Sequence, residues 1–231
     1  MKVAVISDLH ANIHALRVVL EDLDKEGVSA ILVAGDLIGY YYWPGQVLDL
    51  IMSDDRFICV RGNHENILRE VLISDEASTR YRKKYGSGYD ACRQQLSKTQ
   101  IEWLLSLPEE TVVNLGGDRF HVGHGALGDT DEYLYPDASL DKLLDNYSDA
   151  KYTIFGHTHY PFLHEHEGRN LLNPGSVGQP RDTGGLASYV VINTINNVIR
   201  FKRKAFDTKP VINAAREYDP SLGYLADIMK R

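Results

Sequence analysis

Five short stretches of this chain set aspartate, asparagine and histidine beside glycine or one residue apart. They are Ser7-Asp8-Leu9-His10, Gly35-Asp36, Gly62-Asn63-His64-Glu65, Gly123-His124-Gly125 and Gly156-His157-Thr158-His159. Pooled, they offer the carboxylates of Asp8 and Asp36, the amide of Asn63 and five imidazoles. Carboxylate oxygen mixed with imidazole nitrogen, with no thiolate beside it, is a donor set for Mn, Fe, Zn, Co or Ni. Each stretch alone has an ordinary explanation: a turn, a loop start, a helix entry capped by Asn63, or solvated histidines. The metal-centre reading depends on all five meeting in space.

What would make them meet is the strand that precedes each one. Lys2–Ile6 is a short β-branched apolar run, and Ser29-Ala30-Ile31-Leu32-Val33-Ala34 and Arg56-Phe57-Ile58-Cys59-Val60 read as two more buried strands. Between the first two lies a helical pattern, with Leu16, Val19, Leu20 and Leu23 at helical spacing, Asn12 as its cap and Gly27 as its stop. A second helix follows Pro44, a residue suited to a first turn. Strand–helix alternation predicts a parallel sheet of βαβ units, and such sheets bind ligands beyond the carboxyl ends of their strands. Asp8 and His10, or His157 and His159, can both point inward only if the backbone bends just past the strand.

Residues 66–107 read as a more polar helical insert, with Thr99-Gln100-Ile101-Glu102 as a capping box and Pro108 as the stop. Strands resume at Thr111 and Arg119, turned through Gly116-Gly117-Asp118. Beyond Tyr152 the strands are expected to be largely antiparallel, and the last residues to form one surface-packed helix. No repeat or linker divides the chain, so one α/β domain over residues 1–231 is expected.

Composition narrows the function. Lys and Arg number 25 against 32 Asp and Glu, a net charge of −7. That balance argues against bulk nucleic-acid binding or an anionic membrane surface, though bound cations could still reverse the sign locally for a phosphate. Cys59 and Cys92 are the only cysteines, too few for a disulfide framework or a thiolate zinc site. No apolar run approaches a membrane span and the start carries no leader-like core, so the expected location is the cytoplasm.

The five blocks, D-x-H, G-D, G-N-H-E, G-H and G-H-x-H in that order, resemble those of the calcineurin-like metallophosphoesterase superfamily. Asn173-Pro174-Gly175-Ser176-Val177-Gly178 resembles its small single-domain prokaryotic phosphodiesterase branch. The resemblance implies a two-sheet β-sandwich flanked by helices rather than the single open sheet that periodicity suggests. It implies two divalent transition-metal ions, with Mn favoured and Fe, Zn, Co or Ni as alternatives. Asp8, His10 and His159 would hold one, Asn63, His124 and His157 the other, and Asp36 would bridge them. His64 would act on substrate rather than metal, with a pKa near the working pH. The implied reaction is in-line attack on a phosphate ester by a metal-bridging hydroxide. The expected substrate is a small phosphate ester, with a nucleotide-like phosphodiester as the class the branch implies. The same ligands would serve a phosphomonoesterase or a dinucleoside polyphosphate hydrolase. The rival from another class is a scaffold or metal-dependent binding module, as in the retromer subunit that kept this fold without key histidines.

Several residues carry both a functional and a structural reading. His14 is expected at the surface, His121 on the strand face opposite His124, and His164 and His166 on a solvated edge. Tyr40, Tyr41, Tyr42 and Trp43 should overhang the site, either to stack on a leaving group or to pack against the helical insert. Arg61 and Arg181 are candidate phosphate contacts or structural ion pairs. Arg80 to Gly86 reads as a solvated basic helix face.

Overall fold

A computed structural model describes every residue from Met1 to Arg231. The first half alternates β1 (Lys2–Ile6), α1 (Ile13–Glu26), β2 (Ala30–Ala34), α2 (Pro44–Met52) and β3 (Phe57–Val60). Four helices follow: α3 (Asn63–Ile73), α4 (Asp75–Tyr85), α5 (Gly88–Gln95) and α6 (Lys98–Ser106). Next come β4 (Thr111–Leu115), β5 (Asp118–Val122), α7 (Leu140–Asp145), β6 (Tyr152–Ile154), β7 (Phe162–His166) and β8 (Arg169–Asn173). The chain closes with β9 (Leu186–Asn193), β10 (Val198–Ala205), α8 (Lys209–Tyr218), α9 (Tyr224–Asp227) and a last turn, Ile228–Lys230. No helix is long and apolar enough to cross a membrane.

The strands form two mixed sheets, ordered β10-β9-β1-β2-β3 and β4-β5-β6-β8-β7. β1, β2 and β3 run parallel as βαβ connections require, and β9 joins the other side of β1 antiparallel, with Val191 opposite Ala4. In the second sheet β5, β6 and β8 are parallel while β4 and β7 close the edges antiparallel. The sandwich is therefore the one the family resemblance implies, and periodicity alone understates it.

Strand alternation explains why β1 is apolar at every position. Val3 and Val5 join Leu32, Phe120, Ile154 and Ile192 in a core between the sheets, while Ala4 and Ile6 face Leu16, Val19 and Leu23 of α1. A strand covered on both faces has no solvent side to mark with polar residues. The parallel strands of both sheets end at one rim, and all five sequence blocks begin there.

Two local expectations change. The α6 cap is Ser97, whose hydroxyl accepts from Gln100 N while the Gln100 side chain accepts from Ser97 N, so the capping box starts two residues before Thr99. The tail from Tyr218 forms the end of α8, then α9 and a final turn rather than one surface helix, and Leu225 and Ile228 are buried.

Candidate metal centre

The bend needed just past each strand is present as left-handed backbone. Asp8, His10, Asp36, His157 and His159 have φ of 54°, 45°, 56°, 66° and 65°. Each such non-glycine residue costs about 1–2 kcal/mol. Five amount to a sum comparable to the net stability of a whole domain, about 5–15 kcal/mol. Strain on that scale is retained only where the surroundings over-determine it, and here it aims both members of each alternating pair at one point.

Main-chain acceptors then fix the rings. His10 Nδ1 donates to Ile38 O at 3.1 Å and His159 Nδ1 to Gln179 O at 2.6 Å. A carbonyl can only accept, so both Nδ1 atoms carry the proton and both Nε2 atoms present lone pairs. Those two Nε2 atoms lie 3.0 Å apart. Facing lone pairs repel unless a cation lies between or beside them, so the donor set fits a bound metal. His157 is turned the other way: its Nε2 meets Asp131 O at 3.2 Å, which leaves Nδ1 for the centre. His124 Nδ1 donates to Ala34 O at 2.7 Å.

Two groups able to hold an ion emerge, Asp8–His10–His159 and Asp36–His124–His157, every residue buried. Asp36 stands between them, with Oδ2 3.2 Å from His124 Nε2 and 3.8 Å from His10 Nε2. Asn63 Oδ1 lies 3.1 Å from His124 Nε2. His64 falls near His10 and Asp36 in a third group, while its Nδ1 is engaged by the Tyr89 hydroxyl at 2.7 Å. All eight candidate residues are thus brought together.

Burial dominates the electrostatics. It pushes Asp8 up to about 7 and holds His10 and His159 well below the usual histidine value. It brings His157 down to about 4. For His124 and Asp36, burial opposes charge but the partner's charge outweighs it. His124 is raised to about 10 and Asp36 held well below the carboxylate range. Burial also lowers His64, to about 4. The lowered values of His10, His157 and His159 leave those rings neutral, the state in which imidazole ligates a metal, while His124 must give up its proton to do so.

The matching family model, the calcineurin-like phosphoesterase superfamily domain, covers residues 1–197. The chain belongs to the calcineurin-like phosphoesterase superfamily. It is 32% identical over 225 residues to the uncharacterised protein MJ0912 of Methanocaldococcus jannaschii, covering 90% of this chain and 88% of that one. The structure of a metallophosphoesterase from Sphaerobacter thermophilus superposes with a TM-score of 0.81 at 28% identity, over 99% and 98% of the two chains. The hypothetical protein PH1004 of Pyrococcus horikoshii shares the fold with a TM-score of 0.83 at 18% identity, over 100% and 98%. Membership in the calcineurin-like superfamily implies a phosphoesterase hydrolase that uses divalent metals.

Around this calcineurin-like centre several side chains do work that the blocks do not announce. Glu65 accepts from the backbone of Gly62, Asp36, Leu37 and Ile38, tying two block loops together. Of the aromatic run only Tyr40 meets the site, its ring 4.7 Å from that of His10 and 4.8 Å from that of His64. Tyr41 and Tyr42 turn away to bond Leu225 O and Asp219, and Trp43 packs edge-on against His14 at 4.6 Å, so His14 is half-buried rather than at the surface. A cleft of about 810 Å³ is lined in part by Tyr42 and Trp43 and includes none of the eight candidates. Arg61 is engaged by Asn66, Leu107 O and Glu109, whereas Arg181 donates to the Tyr40 hydroxyl at 3.4 Å and its charge reaches His159. His121 pairs with Glu110 at 2.9 Å, away from the centre, and His164 meets the Tyr147 hydroxyl. In the basic helix Arg80 and Arg82 pair with Glu70 and Asp90, but Tyr85 turns inward to His64, ring to ring at 4.9 Å.

Proposed function

We propose that this protein is a divalent-metal-dependent phosphodiesterase acting on small phosphate esters, with a nucleotide-like diester as the preferred class. The observation that carries the reading is the position of the Asp36 carboxylate, shared between the His10 and His124 sides of the centre at 3.8 and 3.2 Å. On this reading Asp8, His10 and His159 would hold one ion and Asn63, His124 and His157 the second, with Asp36 shared between the two groups. Mn²⁺ suits the mixed imidazole and carboxylate set. Two such cations supply positive charge for phosphoryl oxygens and lower the pKa of water.

The chain's own residues do the rest. Asn63 contributes a neutral oxygen, which keeps the site's net charge attractive to a phosphate anion. Arg181 sits at the lip beside the Tyr40 hydroxyl and binds a non-reacting phosphate oxygen. His64 approaches the oxygen that leaves. Tyr133 lies on the His157 ring at 4.0 Å, Tyr85 lies 5.4 Å from Tyr40, and the half-exposed Tyr224 lies 6.4 Å from Tyr40. A rim of phenol rings favours a second esterified group, which a diester has and a monoester lacks, and rings of this kind stack on planar groups.

The test is hydrolysis of an aryl phosphodiester and the matching monoester by metal-stripped protein, with and without Mn²⁺. Mn²⁺-dependent cleavage that favours the diester is expected. Cleavage of the monoester alone would make the protein a phosphatase. No turnover of either ester, with both ions bound, would favour the scaffold.

A further inference from the structure

The hydroxyl of Tyr89, on the second residue of α5, lies 2.7 Å from His64 Nδ1. Both side chains are buried, at 3% exposure each. The hydroxyl proton has no other acceptor within reach, since Nδ1 is the one hydrogen-bond partner of Tyr89 OH. A buried hydroxyl left without an acceptor costs about 1–3 kcal/mol. The bond therefore runs from Tyr89 O–H to the Nδ1 lone pair, and the imidazole proton sits on Nε2.

Two glycines make the contact sterically available. A Cβ on Gly39, whose φ is +87°, would collide with His64 Nδ1, the nitrogen that Tyr89 meets. A Cβ on Gly88 would come within 2.9 Å of the Tyr40 backbone, so its absence lets α5 approach close enough to deliver Tyr89. The rings of Tyr89 and His64 are near-parallel, 17° between planes, which holds the imidazole against rotation.

We infer that Tyr89 is a positioning residue: it fixes the Nε2–H tautomer of His64 and so makes that ring a hydrogen-bond donor to the leaving oxygen instead of a metal ligand. A nitrogen that carries a proton cannot ligate, which removes the third group, His10–Asp36–His64, as an ion site. The inference rests on the phosphodiesterase reading for its catalytic consequence, but not for the tautomer. In the reaction the P–O bond to the leaving group breaks as water bonds to phosphorus. His64 Nε2–H stabilises the departing oxygen, which takes its proton from the solvent.

The experiment compares wild type with Tyr89→Phe, which keeps the ring and its packing. Side-chain ¹⁵N NMR of the zinc-loaded, diamagnetic protein reads the His64 tautomer. Nε2–H is expected in wild type, with mixed or Nδ1–H signals in the variant. The metal content should be unchanged. Turnover of an alkyl-leaving-group diester should fall about 10–100-fold, with a loss under about 3-fold for a nitrophenyl diester, because a poor leaving oxygen depends more on the donor. An Nδ1–H ring in wild type, or a tautomer unaffected by Tyr89→Phe, would overturn the inference. So would equal losses on both leaving groups, the mark of a merely structural role. If wild type cleaved no diester, the phosphodiesterase reading would fail while the NMR result still decided the tautomer.

Discussion

The carboxylate of Glu65 holds the backbone N–H of Asp36 at 3.1 Å, so the bridging aspartate is positioned by a residue from the neighbouring block. The same carboxylate accepts from Gly62 N at 2.7 Å, Leu37 N at 2.9 Å and Ile38 N at 3.2 Å. Asp36 Oδ1 in turn accepts from His64 N at 2.9 Å. Glu65→Gln keeps the shape but replaces one acceptor oxygen with a donor, leaving buried N–H groups unpaired. The expected cost is about 2 kcal/mol, or about 4–8 °C in Tm for a chain of this size. Metal affinity should also weaken about 10-fold or more, as for other groups that orient ligands. Thermal melting of metal-free protein and Mn²⁺ titration read the two effects separately. An unchanged Tm would show that the clamp contributes nothing.

His157 and His159 lie one residue apart but reach the centre through different nitrogens. His159 offers Nε2 because Gln179 O holds its Nδ1, and His157 offers Nδ1 because Asp131 O meets its Nε2. They belong to different ligand groups. His157→Ala and His159→Ala should therefore each lose about one equivalent of tightly bound metal rather than both, as counted by elemental analysis after gel filtration. In wild type, Mn²⁺ at about 100 times the Kd of each site should add about 2.7 kcal/mol of stability per ion. Each single variant should show a smaller gain. Two retained ions in both variants would reject the ligand assignment.

The parts of this architecture that the sequence carries are those written in local pattern. β1, β2 and β3 are unbroken apolar runs, and the polar blocks start where those runs stop. The antiparallel side of the first sheet is less accessible from pattern alone, because β9 pairs with β1 across more than 180 residues and nothing near Leu186 records the partner. The α6 start illustrates a simpler degeneracy. Ser97-Lys98-Thr99-Gln100 and Thr99-Gln100-Ile101-Glu102 both fit a capping box, and only the folded backbone selects Ser97.

At the site, residues with a characteristic chemistry were legible and those defined by a contact were not. Asp8, His10, Asp36, Asn63, His64, His124, His157 and His159 stand out by type and spacing. Tyr89 sits in an ordinary amphipathic helix, and its role depends on where Gly39 and Gly88 let that helix lie. Glu65 was visible beside His64, but an acid there says nothing of the four N–H groups it collects. Tyr40 and Trp43 look equivalent in the run Tyr40-Tyr41-Tyr42-Trp43, yet the positive φ of Tyr40, 58°, turns it to the site while Trp43 meets His14.

The edge strand β10 is fastened to α1 by charge, and that gives the fold a pH-dependent seam. Asp22 accepts from Lys202 and from Lys204 at 2.9 Å, and Glu26 accepts from Lys202 at 2.8 Å, Arg200 at 2.7 Å and Lys2 at 3.2 Å. Hydrogen bonds from Lys202, and then Tyr189, hold Asp22 well below the usual carboxylate range. Lys202 likewise brings Glu26 down to about 2. Because both folded-state values are depressed, the stabilisation is complete above the unfolded pKa near 4. It fades as pH falls below 4, for Glu26 down through about 2 and for Asp22 only at lower pH still. Asp22→Asn with Glu26→Gln should lower Tm by about 2–4 °C at pH 7, the scale of a surface network worth about 1 kcal/mol. That difference should shrink steadily as pH falls from 4 towards 2. The comparison uses metal-free wild type and variant at each pH, so that acid effects on the metal centre cancel. A difference that persisted undiminished at low pH would mean that the side chains act there by packing and not by charge.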